Sequence, residues 1–119
     1  MKNKKEEKEK RIKKEMKKIK KIYENLSKDK MNKISELIYR ASFLLVMAQD
    51  MESELKECDS YTVTTVNASQ SFTKPNPLLK EYRDTIKSYQ AVIKQLEDLT
   101  KDEDLLSPEK DELDEFLDR

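Results

Sequence analysis

From Leu79 onward the apolar residues recur at alternating steps of three and four: Leu79, Tyr82, Ile86, Tyr89, Ile93 and Leu96. That spacing lines one stripe of an α-helix. Leu78, Thr85, Val92 and Leu99 widen the stripe along one flank, while Lys80, Glu81, Arg83, Asp84, Lys87, Lys94 and Gln95 fall outside it. Asn76 offers a side-chain oxygen to the first free amides, and Pro77 suits the first helical position. The helix therefore begins there and needs a surface to pack against.

The same reading gives a second helix, from roughly Lys28 to Glu57, with Ser27 as its cap. Ile34, Leu37, Ile38, Ala41, Leu44, Leu45, Ala48, Met51 and Leu55 form a broad apolar face. Around "FLLVMA" the pattern is apolar nearly all round, because Phe43, Val46 and Met47 lie off that face. A helix that is hydrophobic on every side is buried on every side, and one core in so small a domain rarely covers that much, so self-association is expected here; the alternative is that the first helix alone covers the surplus. A first helix is predicted from "KNKKEEKEKRIKKEMKKIKKIYENL", where Ile12, Met16, Ile19, Tyr23 and Leu26 set the face. Nothing apolar precedes Ile12, so fraying is expected there.

Between Asp59 and Pro75 the periodicity changes. "YTVTTVNASQSFTK" is β-branched and aromatic, with Tyr61, Val63 and Thr65 on one side of any strand and Thr62, Thr64 and Val66 on the other. A short hairpin or an extended loop is expected, with Asn67 suited to the turn in a chain without glycine. An isolated hairpin is marginal in water and needs a neighbour. Beyond Thr100, Ser107 and Pro108 introduce a short segment with Leu113, Phe116 and Leu117 as its apolar face. It is too short to be a stable helix alone. The fold class is thus all-α, three main helices with a β-like insertion at about 59–75.

Composition narrows the chemistry. A chain of 119 residues is one small domain with extensions, and at 42% charged and 35% hydrophobic it buries a modest core. It has no histidine and no glycine, which removes the commonest general acid–base group and the loops that cradle phosphates. No catalytic residue, metal site, cofactor or small-molecule substrate is expected. Acidic runs such as Asp102 to Asp104 read as solvated rather than as a cation site. The one cysteine, Cys58, forms no internal disulfide and reads as a helix-end residue in a reducing compartment. "FLLVMA" is far short of the ~20 residues that span a bilayer. No secretory h-region follows the charged start. A soluble, intracellular protein is expected.

The net charge of zero conceals a polarity. Residues 1–22 carry twelve Lys/Arg against four Glu, residues 100–119 carry three against nine acids, and residues 23–99 carry ten against twelve. This divides the chain into a basic arm (1–22), a core (23–99) and an acidic tail (100–119). A polyanion at one end and a different partner at the other are implied.

Two stretches carry a family likeness. "IYENLSKDKMNKISELIYRASFLLVMAQDMESELKE", followed after the polar insertion by "NPLLKEYRDTIKSYQAVIKQLEDLT", resembles the small subunit of phage terminase, in the branch common in tailed phages of Gram-positive bacteria. The shared features are Tyr23 and Leu26 at the end of the first helix, Leu37-Ile38 and Ala41-Ser42-Phe43 in the second, a variable β-like insertion, and Asn-Pro before a helix with Tyr82, Lys87, Tyr89, Ile93, Lys94, Gln95 and Leu96. The resemblance implies an all-α core assembling into a ring-like homo-oligomer. It implies recognition of viral double-stranded DNA at the packaging site and delivery to a large terminase subunit that carries the ATPase and nuclease. It places the protein in the host bacterial cytoplasm. Many such subunits read DNA with a helix-turn-helix; none is recognisable here, and the basic arm stands in its place.

The candidate sites follow. Lys10, Arg11, Lys13, Lys14, Lys17, Lys18, Lys20 and Lys21 crowd about three turns of helix and would contact phosphates, giving affinity with little base reading. The bland reading of this run is a solvated face kept for solubility, and a membrane-surface helix is a further one. Phe43, Val46, Met47, Tyr82 and Tyr89 are expected at the oligomer interface, the tyrosines by packing rather than by stacking on bases. Leu113, Phe116 and Leu117 would dock on the large subunit; alternatively the tail stays solvated, or shields the basic arm when DNA is absent. The rival to the whole reading is a helical adaptor or scaffold that never touches DNA.

Overall fold

The structure, a computed structural model, describes residues 3–66 and 71–101. Three helices, α1 (Lys4–Ile22), α2 (Lys28–Glu57) and α3 (Pro77–Thr100), carry a two-stranded antiparallel hairpin, β1 (Thr62–Val66) and β2 (Ser71–Pro75), between α2 and α3. The chain is mostly helical, as its periodicity predicts. Of the predicted turn, Asn67 lies outside the described residues, as do Ser107, Pro108 and the apolar residues of the tail.

The predicted caps are in place. Ser27 Oγ accepts from the Lys30 amide at 3.3 Å, and Asn76 Oδ1 accepts from the Leu78 amide at 3.0 Å with Pro77 following it. Cys58 closes α2, its thiol donating to the Glu54 carbonyl at 3.3 Å.

The helices are antiparallel neighbours. Arg11 meets Asp50 near one end of the α1–α2 pair, while Tyr23 clusters with Ile34 and Ile38 near the other. Tyr82 likewise meets Glu52, and Leu96 joins the Ile34–Ile38 cluster. Both α1 and α3 thus run against α2, and their C-terminal ends lie beside its N-terminal half. The core sits there, built on Tyr23, Ile34, Ile38, Ala41 and Leu96, with Met16, Ile19, Val92 and Ile93 packed around it.

This arrangement explains why α2 is apolar nearly all round. It receives α1 on one side, through Gln49 and Asp50, and α3 on another, through Glu52. Ala41, Ser42 and Ala48 are buried, and small side chains let helices approach closely. The Ser42 hydroxyl is satisfied within the helix by donating to the Ile38 carbonyl at 2.8 Å. Val46, which the sequence places off the main face, is 1% exposed: the chain encloses it without a second copy. Phe43 is not enclosed, at 40% exposed, and Met47 is partly buried.

The segment before Ile12, where fraying is expected, is helical in this structure. The helix is continuous from Lys4, with Asn3 Oδ1 accepting from the Lys5 amide at 2.9 Å and Glu6 and Glu7 in the first turn, where the helix dipole favours acids. The side-chain contacts of this half of α1 with α2 include ion pairs from Lys8 and Arg11 to Asp50.

The hairpin is in register Thr62↔Pro75, Val63↔Lys74 and Thr64↔Thr73. The Thr64 and Thr73 hydroxyls lie 3.2 Å apart across the strands, and the Tyr61 carbonyl accepts from the Asn76 amide at 2.8 Å, tying the hairpin to the start of α3. Its described side chains are all exposed, Val66 at 74%.

Candidate nucleic-acid interface

The helical repeat sorts the basic arm into two faces. Ile12, Met16, Ile19 and Ile22 turn inward and are partly buried, ending at buried Tyr23. Lys10, Lys13, Lys14, Lys17, Lys18, Lys20 and Lys21 are all exposed. Lys10, Lys13, Lys14, Lys17 and Lys20 follow steps of three and four on the outward face. At 1.5 Å per residue they cover about 15 Å of helix. Among the described residues, no carboxylate forms an ion pair with any of these five. Lys18 sits at the edge of the stripe and pairs with Glu15 at 3.3 Å.

Arg11 does not belong with them. Its Nη1 donates to Asp50 Oδ1 at 2.6 Å and its Nη2 to Gln49 Oε1 at 3.0 Å, so the fork is committed to α2. Arg11, expected among the phosphate contacts, is thus paired with α2 in this structure, unlike the lysines of the row. Guanidinium is planar and two-pronged, which suits a fixed carboxylate–amide pair, whereas ammonium suits a mobile point contact. Lys8 adds its charge 3.4 Å from Asp50 Oδ2. Burial pushes the Asp50 carboxyl up, but the hydrogen bond and charge of Arg11, and then Lys8, outweigh it and hold the group below the usual range.

Where the apolar residues of α1 run out, the helices do not fill the space between them. A cleft of about 510 Å³ opens there, lined by Lys8 and Arg11 of α1, Met47 and Met51 of α2, and Leu78 of α3. Met47, expected at an oligomer interface, faces this cleft.

The other expected interface residues divide by environment. Phe43 stacks on Tyr39, ring centroids 6.2 Å apart and planes 28° from parallel, and both rings stand in solvent at 40% and 42% exposed. Tyr39 was not singled out by its sequence; its position four residues before Phe43 is the signal that places both on one face. Tyr82 donates its hydroxyl to Glu52 Oε2 at 2.9 Å, and that hydrogen bond, with burial and the Glu52 charge, raises its pKa. Tyr89 packs against the core; burial first, then the charge of Glu15, raises its pKa. Both tyrosines are used in joining α3 to the rest of the chain. Leu113, Phe116 and Leu117 lie outside the described residues.

Two further features bear on partners. No described helix is long and apolar enough to cross a membrane. Among the described residues, no group of three or more potential metal ligands is found. What the described surface offers is an exposed cationic stripe on α1 and an exposed aromatic pair on α2. No family model, curated protein or solved structure matches this chain.

Proposed function

We propose that this chain is a DNA-binding subunit of the small-terminase type, which grips the phosphate backbone through α1 and acts as an oligomer during genome packaging. The observation that carries the reading is the exposed row Lys10, Lys13, Lys14, Lys17 and Lys20, with no ion-pair partner among the described residues. Lysines in such a row neutralise phosphates and release counterions, and ammonium groups do so without reading bases. With Arg11 withdrawn to α2, sequence preference is weaker still. A ring of copies would present the row many times over and turn weak contacts into a strong collective one.

Assembly is supported by the Tyr39–Phe43 pair. Two stacked, solvent-exposed rings on a helix are the kind of aromatic anchor that protein interfaces favour. The large subunit, with the ATPase and nuclease, is the proposed partner of Leu113, Phe116 and Leu117, which would anchor a short segment in a groove. The host cytoplasm is the proposed compartment. No enzymatic activity is assigned to the chain itself.

Duplex binding titrated against salt tests the central claim. Expected is binding at low salt with log K falling linearly in log salt. A chain that binds no duplex even at low salt is the adaptor or scaffold, and the reading fails. Light scattering tests assembly: a monomer at high micromolar concentration would remove the ring.

A further inference from the structure

We propose that residues 102–119 are the resident occupant of the α1 lysine row, an internal polyanion that DNA must displace. This rests on the reading of that row as the phosphate-binding face and names its regulation. Three observations converge on it.

Charge comes first. Residues 102–119 hold nine Asp/Glu against Lys110 and Arg119, a surplus of seven negative charges, and the rest of the chain holds the equal and opposite surplus. Position comes second. α3 ends at Thr100, which is buried, and Leu96 lies in the same core cluster as Tyr23. Lys101 therefore follows α3 at the end of the bundle that also holds the C-terminal end of α1, where Lys20 stands three residues before Tyr23. Reach comes third. Eighteen residues span up to about 60 Å when extended, several times the length of the row from Lys20 to Lys10.

A tethered ligand at this distance has an effective concentration of order millimolar. Weak carboxylate–ammonium contacts, each worth little singly, then suffice to occupy the row. Duplex DNA carries a charge about every 1.7 Å along its axis and a condensed counterion shell. The tail is sparser and releases fewer ions, so DNA displaces it while short or dilute polyanions do not. The device sets a threshold for the row and keeps the basic arms of free chains from sticking to acidic surfaces.

The test compares the full chain with a full-length variant whose tail keeps its length and apolar residues but loses charge: Asp102→Asn, Glu103→Gln, Asp104→Asn, Glu109→Gln, Asp111→Asn, Glu112→Gln, Asp114→Asn and Glu115→Gln. Fluorescence anisotropy of a short labelled duplex is read at several salt concentrations. Expected is affinity about tenfold higher for the neutral-tail chain at low salt, converging as salt rises. A peptide of residues 102–119 added in trans should restore the weaker binding. In a chain also carrying Lys13→Gln, Lys14→Gln and Lys17→Gln, neutralising the tail should change nothing. Equal affinity of the two chains for duplex overturns the tail proposal and leaves the DNA reading standing. If neither chain binds duplex, the DNA reading fails. The labelled peptide then decides the tail alone: saturable, salt-sensitive binding to the neutral-tail chain supports it, and no binding overturns it. An inhibition that vanishes on dilution means that the tail reaches a neighbouring copy, and overturns the within-chain form.

Discussion

Arg11 Nη1 lies 2.6 Å from Asp50 Oδ1, joining residues 39 apart in sequence, and with Lys8 beside it on the same carboxylate this contact turns part of the basic arm toward α2. It sits where α1 has run out of apolar residues. Below it the helices are joined by Ile12, Met16, Ile19 and Tyr23; above it only charge remains. The latch thus defines the upper limit of the packed α1–α2 interface.

Breaking the latch should loosen one half of one helix. Arg11→Gln leaves Asp50 with Lys8 alone and is expected to lower stability by about 1 kcal/mol, since the pair is only partly buried. Amide exchange should quicken through the N-terminal half of α1 and stay slow in the centre of α2. Unchanged protection before Ile12 would mean that the capped helix stands without the latch.

Asp50 also sets an acid limb. Its folded pKa lies below its ordinary value of 3.8, so the unfolded chain takes up its proton first as pH falls. The stabilisation is complete above the unfolded pKa and is lost as pH drops through the folded one. Asp50→Asn should therefore flatten the decline in stability below about pH 4, measured by urea melts across that range. An unchanged acid limb would show that other carboxylates govern it.

Tyr82 and Tyr89 act at the opposite extreme. Both have folded pKa values raised above 10.0. Their contribution is fully present below the unfolded pKa and is lost as pH rises through the folded value. Tyr82→Phe removes the hydroxyl hydrogen bond to Glu52 and should reduce the alkaline loss of stability. Spectrophotometric titration of phenolate in the two chains checks this directly.

The lysine row and Arg11 should separate in DNA binding. Lys13→Gln, Lys14→Gln and Lys17→Gln together should lower the salt slope of duplex binding by about 2 to 3 if each lysine neutralises one phosphate. Arg11→Gln should leave that slope nearly unchanged. A larger effect from Arg11 would reverse the assignment of the two faces.

Folding and assembly should separate along α2. Val46→Ala removes enclosed side-chain volume and is expected to cost about 2 kcal/mol in a thermal or urea melt. Phe43→Ala with Tyr39→Ala removes exposed rings, so it should leave the melt of a single chain nearly unchanged while lowering the mass seen by light scattering. An assembly of unaltered mass would move the interface elsewhere.

The sequence by itself determined the elements of this protein. Period 3.6 in "LLKEYRDTIKSYQAVIKQL", the caps Ser27 and Asn76, and the β-branched run before Asn67 are local signals, and local backbone preference is enough to express them. It also determined the polarity of charge. What it left open were the questions that depend on neighbours. Whether Val46 is covered depends on what the rest of the chain places against α2, which no residue near Val46 announces. Whether Arg11 serves DNA or α2 depends on Asp50 arriving opposite it, and the only local hint was a lone arginine in an arm of lysines. Helix periodicity sorts residues onto faces, but the identity of what each face meets comes from chain pairing over tens of residues. Tertiary structure therefore enclosed Val46, withdrew Arg11 and left Phe43 beside Tyr39 in solvent.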